Sequence, residues 1–466
     1  MRNKETVDMC EGPLIKSVIL YALPLVATGL LQLLYNAADM IVVARFAGGT
    51  ALAAVGSNGP LVNLIVNIFV GLSVGASVII SRFYGAKDKR NLHESVHTAM
   101  AISLICGIIT MTAGLLISRQ ALELMSTPYD VIDQATLYLQ IYFMGMPALM
   151  IYNFGGAILR AVGDTKRPLY ILFASGAVNV ALNLVLVIGF KLDVAGVAIA
   201  TTVSQVISAV CVVICLIRTT DDYKLEIARI RIYKDKFFAM LRNGIPAGVQ
   251  GSIFSLSNII IQSSINSFGS AVMSGNSAAA NVEGFVFVAM NAMHHTCLAF
   301  TAQNIGAGNF DRLKKIFRTC TLFVVIIGVV LGWTAYIFGD QLLTLYTSGS
   351  SVESTVTPEQ IIRYGKLRLS IISTTHFLCG IMDVRVGALR GMGSPWMPML
   401  VSIAGVCGVR ILWIFTVFAA VSHTPESLYL SYTVSWLITS AVHYICYRRV
   451  RKKYLPKTAS RSDIPA

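Results

Sequence analysis

Charge is scarce in this chain. Of its 466 residues, 13% are Asp, Glu, Lys or Arg, against roughly 25% in a soluble globular protein. That shortage argues against a water-soluble catalytic domain. The nine cysteines contain no Cys-x-x-Cys pair. Most lie inside apolar runs and read as small buried hydrophobes, not as metal ligands or a disulfide framework. No Walker A sequence occurs, which argues against direct drive by ATP. The polar start is not followed by a short apolar region with a small-residue cleavage site, so the first apolar run is expected to stay in the protein. Net charge is +14, yet no basic-aromatic domain or groove-reading motif accompanies it, so nucleic acid is not an expected partner. No clustered nucleophile or metal set appears. Neither enzymatic activity, nor a metal, nor a cofactor is expected.

What the chain does have is apolar length. Hydrophobic residues make up 55%, gathered in runs such as 169–190, 316–338 and 397–421. Each suits a helix of ~20 residues, enough to cross a bilayer. The runs lack the strict alternation of a membrane barrel. The expected fold is therefore an all-α integral membrane protein with about twelve spans, near 15–44, 52–81, 95–118, 131–157, 168–190, 194–217, 238–267, 274–302, 315–338, 361–387, 397–421 and 428–447.

The chain also repeats itself. Gly85–Ala86 returns at Gly306–Ala307, the Leu159–Gly163 turn at Leu389–Gly393, Pro24 at Pro246 and Asn36 at Asn258. Such a period implies two six-helix lobes related by a pseudo-twofold axis, the usual build of a secondary transporter. The expected division is 1–217 and 238–447 for the lobes, 218–237 for a solvated or interfacial helix between them, and 448–466 for a basic tail, disordered after Tyr454. Lys and Arg crowd one set of connections: Arg82 to Arg90, Arg160 to Arg167, Arg218 to Lys236, Arg312 to Lys315, Arg390 and Arg448 to Lys453. The other set holds only Arg45, Arg119, Lys191 and a few after Pro358. By the positive-inside rule both termini are cytoplasmic and the protein sits in the plasma membrane.

Polar side chains within spans are costly and mark candidate sites. Gln32, Asn36 and Asp39 follow steps of four and three, so they share a face of span one. Ser175, Asn179 and Asn183 do the same in span five, and Asn63 and Asn67 offer amides from span two. Together they are expected to form a polar pocket around Asp39. A carboxyl so placed either takes up and releases a proton or locks helices together as a neutral structural acid. The second lobe holds Glu283, Asp383 and Arg410. Glu283 and Arg410 lie ~13 and ~17 Å from the outer ends of their helices at 1.5 Å per residue. They are expected to pair, because an unpaired buried Arg is costly. The alternative role for Glu283 is as a Na⁺ ligand. Asp383 reads as an acid near Arg385 or Arg390. Tyr138, Tyr142 and Met290 are candidates for the wall of a cavity that takes lipophilic cations, and His294 for a second-lobe cavity or a packed core.

The ordered set of LYNAAD in span one, the glycine–alanine turns after spans two and eight, LRAVGDTKRP after span four and LRGMGSP after span ten resembles the bacterial branch of the multidrug and toxic compound extrusion (MATE) family. The resemblance covers nearly the whole chain. It implies a V-shaped pair of bundles and an antiporter that exports drug-like organic cations against H⁺ or Na⁺ by alternating access, working as a monomer. It places the family's first-span aspartate on Asp39 and its fifth-span Asn on Asn179. Asn183 stands where the family has an Asp, so one titrating group is absent. The seventh-span glutamate of another branch falls near Phe254, and that branch's tenth-span aspartate near Cys379. Both acids are missing, which favours H⁺ over Na⁺. Protonation of Asp39 would then repack span one, helped by Pro24. A lipid-linked sugar flippase of the wider superfamily is the alternative function.

Overall fold

The structure, a computed structural model, describes residues 6–454 apart from 48–50, 52–53, 56–57, 126 and 348–356; the side chains of residues 60, 61, 63, 64 and 130 also lie outside the description. The tail after Tyr454 therefore falls outside the described residues.

Each of the twelve expected segments carries helix among its described residues. They are Leu14–Phe46, Gly59–Gly85, Lys89–Leu124, Tyr129–Met144 with Met146–Ala161, Lys166–Asn183, Asp193–Arg218, Lys234–Asn266, Ser270–Gly306, Arg312–Ile337, Pro358–Arg368 with Thr374–Gly391, a broken helix from Trp396 to Phe418, and Pro425–Lys452. These are spans one to twelve below. Ten helices among the described residues are long and apolar enough to cross a bilayer, or eleven if the two pieces of span four are one span. The last helix is long enough at 28 residues, about 42 Å at 1.5 Å per residue, but too polar to meet the same test. Span four bends by 47° at Gly145–Met146–Pro147, where Pro147 supplies no backbone N–H.

Two expectations need correction. The stretch between the lobes is not a helix: from the end of span six at Arg218 to the start of span seven at Lys234 its one helical piece is the turn Ile227–Arg229. The segment is held by side chains of span three, since Glu226 N donates to His97 Nε2 (3.0 Å) and Tyr233 N to Thr98 Oγ1 (3.2 Å). Arg448–Lys452 are the last turn of span twelve rather than a separate tail.

The repeated motifs fold alike. After Gly85 the amides of Ala86, Lys87 and Asp88 return to Arg82, Tyr84 and Phe83; after Gly306 those of Ala307, Gly308 and Asn309 return to Gln303, Ile305 and Asn304. Gly163 and Gly393 take φ of 99° and 77°, a conformation that L side chains resist, and close matching turns through Arg160 and Arg390 carbonyls.

The lobes meet along spans two with seven, two with eight, and one with eight. A Cβ at Gly85 would strike the backbone of Gln303, and one at Gly306 the backbone of Arg82. Gly71 and Gly75 of span two face Gly244 and Gly248 of span seven with backbones in contact, the close approach that small residues spaced by four permit. Two further contacts lie deeper along the spans, Gly29 against Val288 and Asn67 against Gly251 and Ser255. The N-terminal segment straps the basic end of both lobes. Val7 N donates to Gly163 O (3.0 Å), and Asn304 Nδ2 donates to Met9 O (2.9 Å).

Widened π-helical turns interrupt three spans, at Leu184–Gly189, Leu369–Ser373, and Ile403–Gly408 with Ile414–Phe418. Such turns concentrate at functional sites. Here they abut Asn183, Arg368 and Arg410.

Candidate functional site

A polar cavity opens within the described residues of each lobe. In the first lobe it measures about 480 Å³ and is lined by Gln32, Asn36, Asp39, Tyr138, Tyr142 and Asn179 among others. The steps of four and three on span one thus bring three polar groups to one wall. Asn183 Nδ2 donates to Asp39 Oδ1 at 2.5 Å and lies 3.4 Å from Asn179 Oδ1. The fifth-span amides and Asp39 are therefore one hydrogen-bonded cluster. The carbonyl oxygen of Asn183 is buried without a partner. Asp39 forms no ion pair among the described residues. Tyr138 and Tyr142, one turn apart, stack at 6.1 Å with 11° between their planes and face the same space.

Asn67 does not join this cluster. Asn67 Nδ2 donates to Ser255 Oγ at 3.4 Å, so it serves the contact between lobes. The side chain of Asn63 lies outside the described residues.

The second-lobe cavity measures about 350 Å³ and includes Asn258, Glu283, Arg368, Asp383 and Arg410 in its wall. The expected pairing of Glu283 with Arg410 is not formed. Glu283 accepts from Arg368 instead, at 3.1 and 3.2 Å from Nε and 2.7 Å from Nη2. Arg368 Nη1 also donates to Asn276 Oδ1 at 2.5 Å. A two-toothed guanidinium–carboxylate pair is the arrangement that best offsets the desolvation of both charges. Arg410 is 4% exposed. Its Nε donates to Ser435 Oγ at 3.0 Å, and its guanidinium lies 3.9 Å above the Tyr432 ring and 5.6 Å from that of Trp436.

Asp383 reaches the cavity wall, while its backbone carbonyl takes a 2.7 Å hydrogen bond from His294 Nδ1. His294 and Met290 are both buried outside this wall. His294 braces span ten against span eight, and Met290 packs its sulfur beside Gly328 and Gly380. Both pack between helices, outside the walls of the two cavities.

Arg368 was hidden among the cations after Pro358 that look like loop charges. The repeat carries the missing signal. The Leu159/Leu389 match puts Arg368 at the position of Tyr138, and the Gly85/Gly306 match puts Glu283 at that of Val62. Both Tyr138 and Val62 line the first cavity. Asn36 and Asn258 likewise occupy matching places in the two cavities. The cavities are thus two copies of one site whose chemistry has diverged.

Twelve helical segments in two repeated lobes, each with a polar cavity, define a transporter-type integral membrane protein. The sequence profile of MatE matches residues 24–185 and 246–416, one stretch in each lobe, and the chain belongs to that family. It is 28% identical over 446 residues to the protein named "Probable multidrug resistance protein YoeA" of Bacillus subtilis (strain 168), covering 94% of each chain. It is 20% identical to "Multidrug export protein MepA" of Staphylococcus aureus (strain MRSA252), over 97% of this chain and 98% of the other. Among solved structures, an outward-facing multidrug resistance MATE transporter of the MOP superfamily superposes with a TM-score of 0.89 at 19% identity, covering 97% of this chain and 99% of that one. A MOP superfamily transporter from Pyrococcus furiosus gives 0.89 at 20% identity, with the same coverage.

Proposed function

We propose that the chain is a secondary active multidrug efflux transporter, an antiporter that exports lipophilic organic cations against H⁺ by alternating access. The observation that carries this reading is Asp39, a carboxylate without a cationic partner among the described residues, in a cavity walled by amides and two stacked tyrosines. Such a carboxylate attracts a cation that also rests on aromatic faces. A proton on the same oxygens removes the attraction. Proton and drug therefore compete for one group, which is the condition for exchange.

Asn183 suits both states of Asp39. Its N–H donates to the ionised carboxylate, and its carbonyl, now without a partner, is available to accept from the protonated form after an amide turn. A proton needs no more than this. Proton uptake shifts the balance between cavity shapes, and the two lobes rock as units. The inner closure is the set of contacts at the basic end, with both termini in the cytoplasm by the Lys and Arg bias. The names of the two relatives, both multidrug proteins, support the cargo class. Ethidium efflux from a pump-deficient host, scored as the pH and Na⁺ gradients are collapsed in turn, tests the reading. Loss with the pH gradient supports it, and loss only with the Na⁺ gradient rejects H⁺ coupling.

A further inference from the structure

The second-lobe cavity holds a charge that the export of cations does not use. Arg368 and Glu283 cancel each other through a two-toothed pair. Arg410 has no such partner. Only its Nε is engaged, by the Ser435 hydroxyl, and its faces are occupied by Tyr432 and Trp436. Its Nη1 and Nη2 donate to nothing among the described residues, although Arg410 is almost wholly buried and lines the cavity. Guanidinium remains charged at any physiological pH. A buried cation on a cavity wall, with two donor nitrogens unused among the described residues, is a site open to an anion.

We infer that this cavity binds a flat aromatic carboxylate, with the carboxylate on the Nη1–Nη2 edge of Arg410. The planar edge presents paired donors that match the two oxygens of a carboxylate. The wall beside it is aromatic and flat. His376 stacks on Trp436 at 5.4 Å with 6° between planes, and Phe287 lies 6.4 Å from His376 at 22°. The volume of about 350 Å³ suits one or two fused rings at the small end of ligand pockets. Ser435 holds the plane of the guanidinium, so the donor edge is set before any ligand arrives. Asp383, on the same wall, forms no ion pair with Arg410 among the described residues, so the donor edge stays open. Arg410 falls at the position of Val180 in the first lobe, so the anion site belongs to one copy of the repeat.

The inference extends the proposed export to aromatic acids and zwitterions. It rests on that reading only for the fate of the ligand, because binding is tested apart from transport. Calorimetric titration of the purified full-length protein in detergent compares 1-naphthoate with its neutral amide and with 1-naphthylmethylammonium. The expected result is naphthoate at least tenfold tighter than the amide, a fall to the amide's level in Arg410→Gln, and partial recovery in Arg410→Lys. Amide and carboxylate of equal affinity in the unsubstituted protein would overturn the proposal, whether or not the variants fold. So would undiminished naphthoate binding by a monodisperse Arg410→Gln. Ethidium export by the unsubstituted protein is scored separately, so that failed export with intact naphthoate binding faults the export reading alone.

Discussion

Arg82 and Gln303 occupy matching positions, three residues before the two glycine–alanine turns, and each reaches into the opposite lobe. Arg82 Nη2 donates to Gly391 O at 3.1 Å, and Gln303 Nε2 donates to Ala161 O at 2.7 Å. Gly391 and Ala161 are themselves matching positions. The pseudo-twofold axis therefore passes through the closed basic end, and each lobe supplies one donor and one acceptor to the latch.

Removing this latch should favour the inward-open state. Hydrogen bonds of this kind contribute about 0.5–1.5 kcal/mol each, and more when charged. The double variant Arg82→Ala with Gln303→Ala should shift the balance about tenfold or more. A cysteine placed at Asn36 and labelled by a polar maleimide from the basic side measures this, and its labelling rate should rise accordingly.

The Glu283–Arg368 pair should be structural. Glu283→Gln leaves a buried guanidinium without its counter-charge, a loss of about 3–5 kcal/mol in buried pairs. Thermal melting of the detergent-solubilised protein should fall clearly in either single variant. The double variant Glu283→Gln with Arg368→Met should recover part of the loss, a coupling that a double-mutant cycle reads directly.

The tyrosine wall of the first cavity should set affinity for cations. Tyr138→Ala with Tyr142→Ala removes both faces, each worth about 0.5–2 kcal/mol to a desolvated cation. Half-saturating ethidium concentration in efflux should rise at least several-fold, while an uncharged dye of similar size is affected less.

Much of the scaffold was legible in the sequence, and for a physical reason. Apolar length is dictated by the bilayer, so twelve segments could be placed within a few residues of their helices. The glycine turns were legible because Gly163 and Gly393 must adopt positive φ and Gly85 and Gly306 must let backbones meet. The first cavity followed from helical steps on spans one and five. The second did not, because partners across helices have no periodic signature. Glu283 and Arg368 are 85 positions apart, and depth counted from helix ends cannot tell Arg368 from Arg410 as the partner. Asn67 was misplaced for a related reason. Its match in the repeat is Val288, which sits against Gly29 as Asn67 sits against Gly251, so its face belongs to the contact between lobes.

Asn183 should tune the exchange without being indispensable. Asn183→Leu removes the hydrogen bond to the ionised carboxylate, worth about 1.5–3 kcal/mol for a charged acceptor. The ionised, drug-accepting form is thereby disfavoured. Ethidium affinity of the purified protein at fixed pH should fall roughly tenfold or more, and raising the pH of the titration should restore part of it.

Asp39 carries the central claim, and one substitution tests it most directly. Reconstituted in proteoliposomes with an imposed pH gradient, the unsubstituted protein should move ethidium against its concentration gradient, and Asp39→Asn, reconstituted at equal density, should show no gradient-driven transport. Near-normal proton-driven transport by Asp39→Asn would contradict the account.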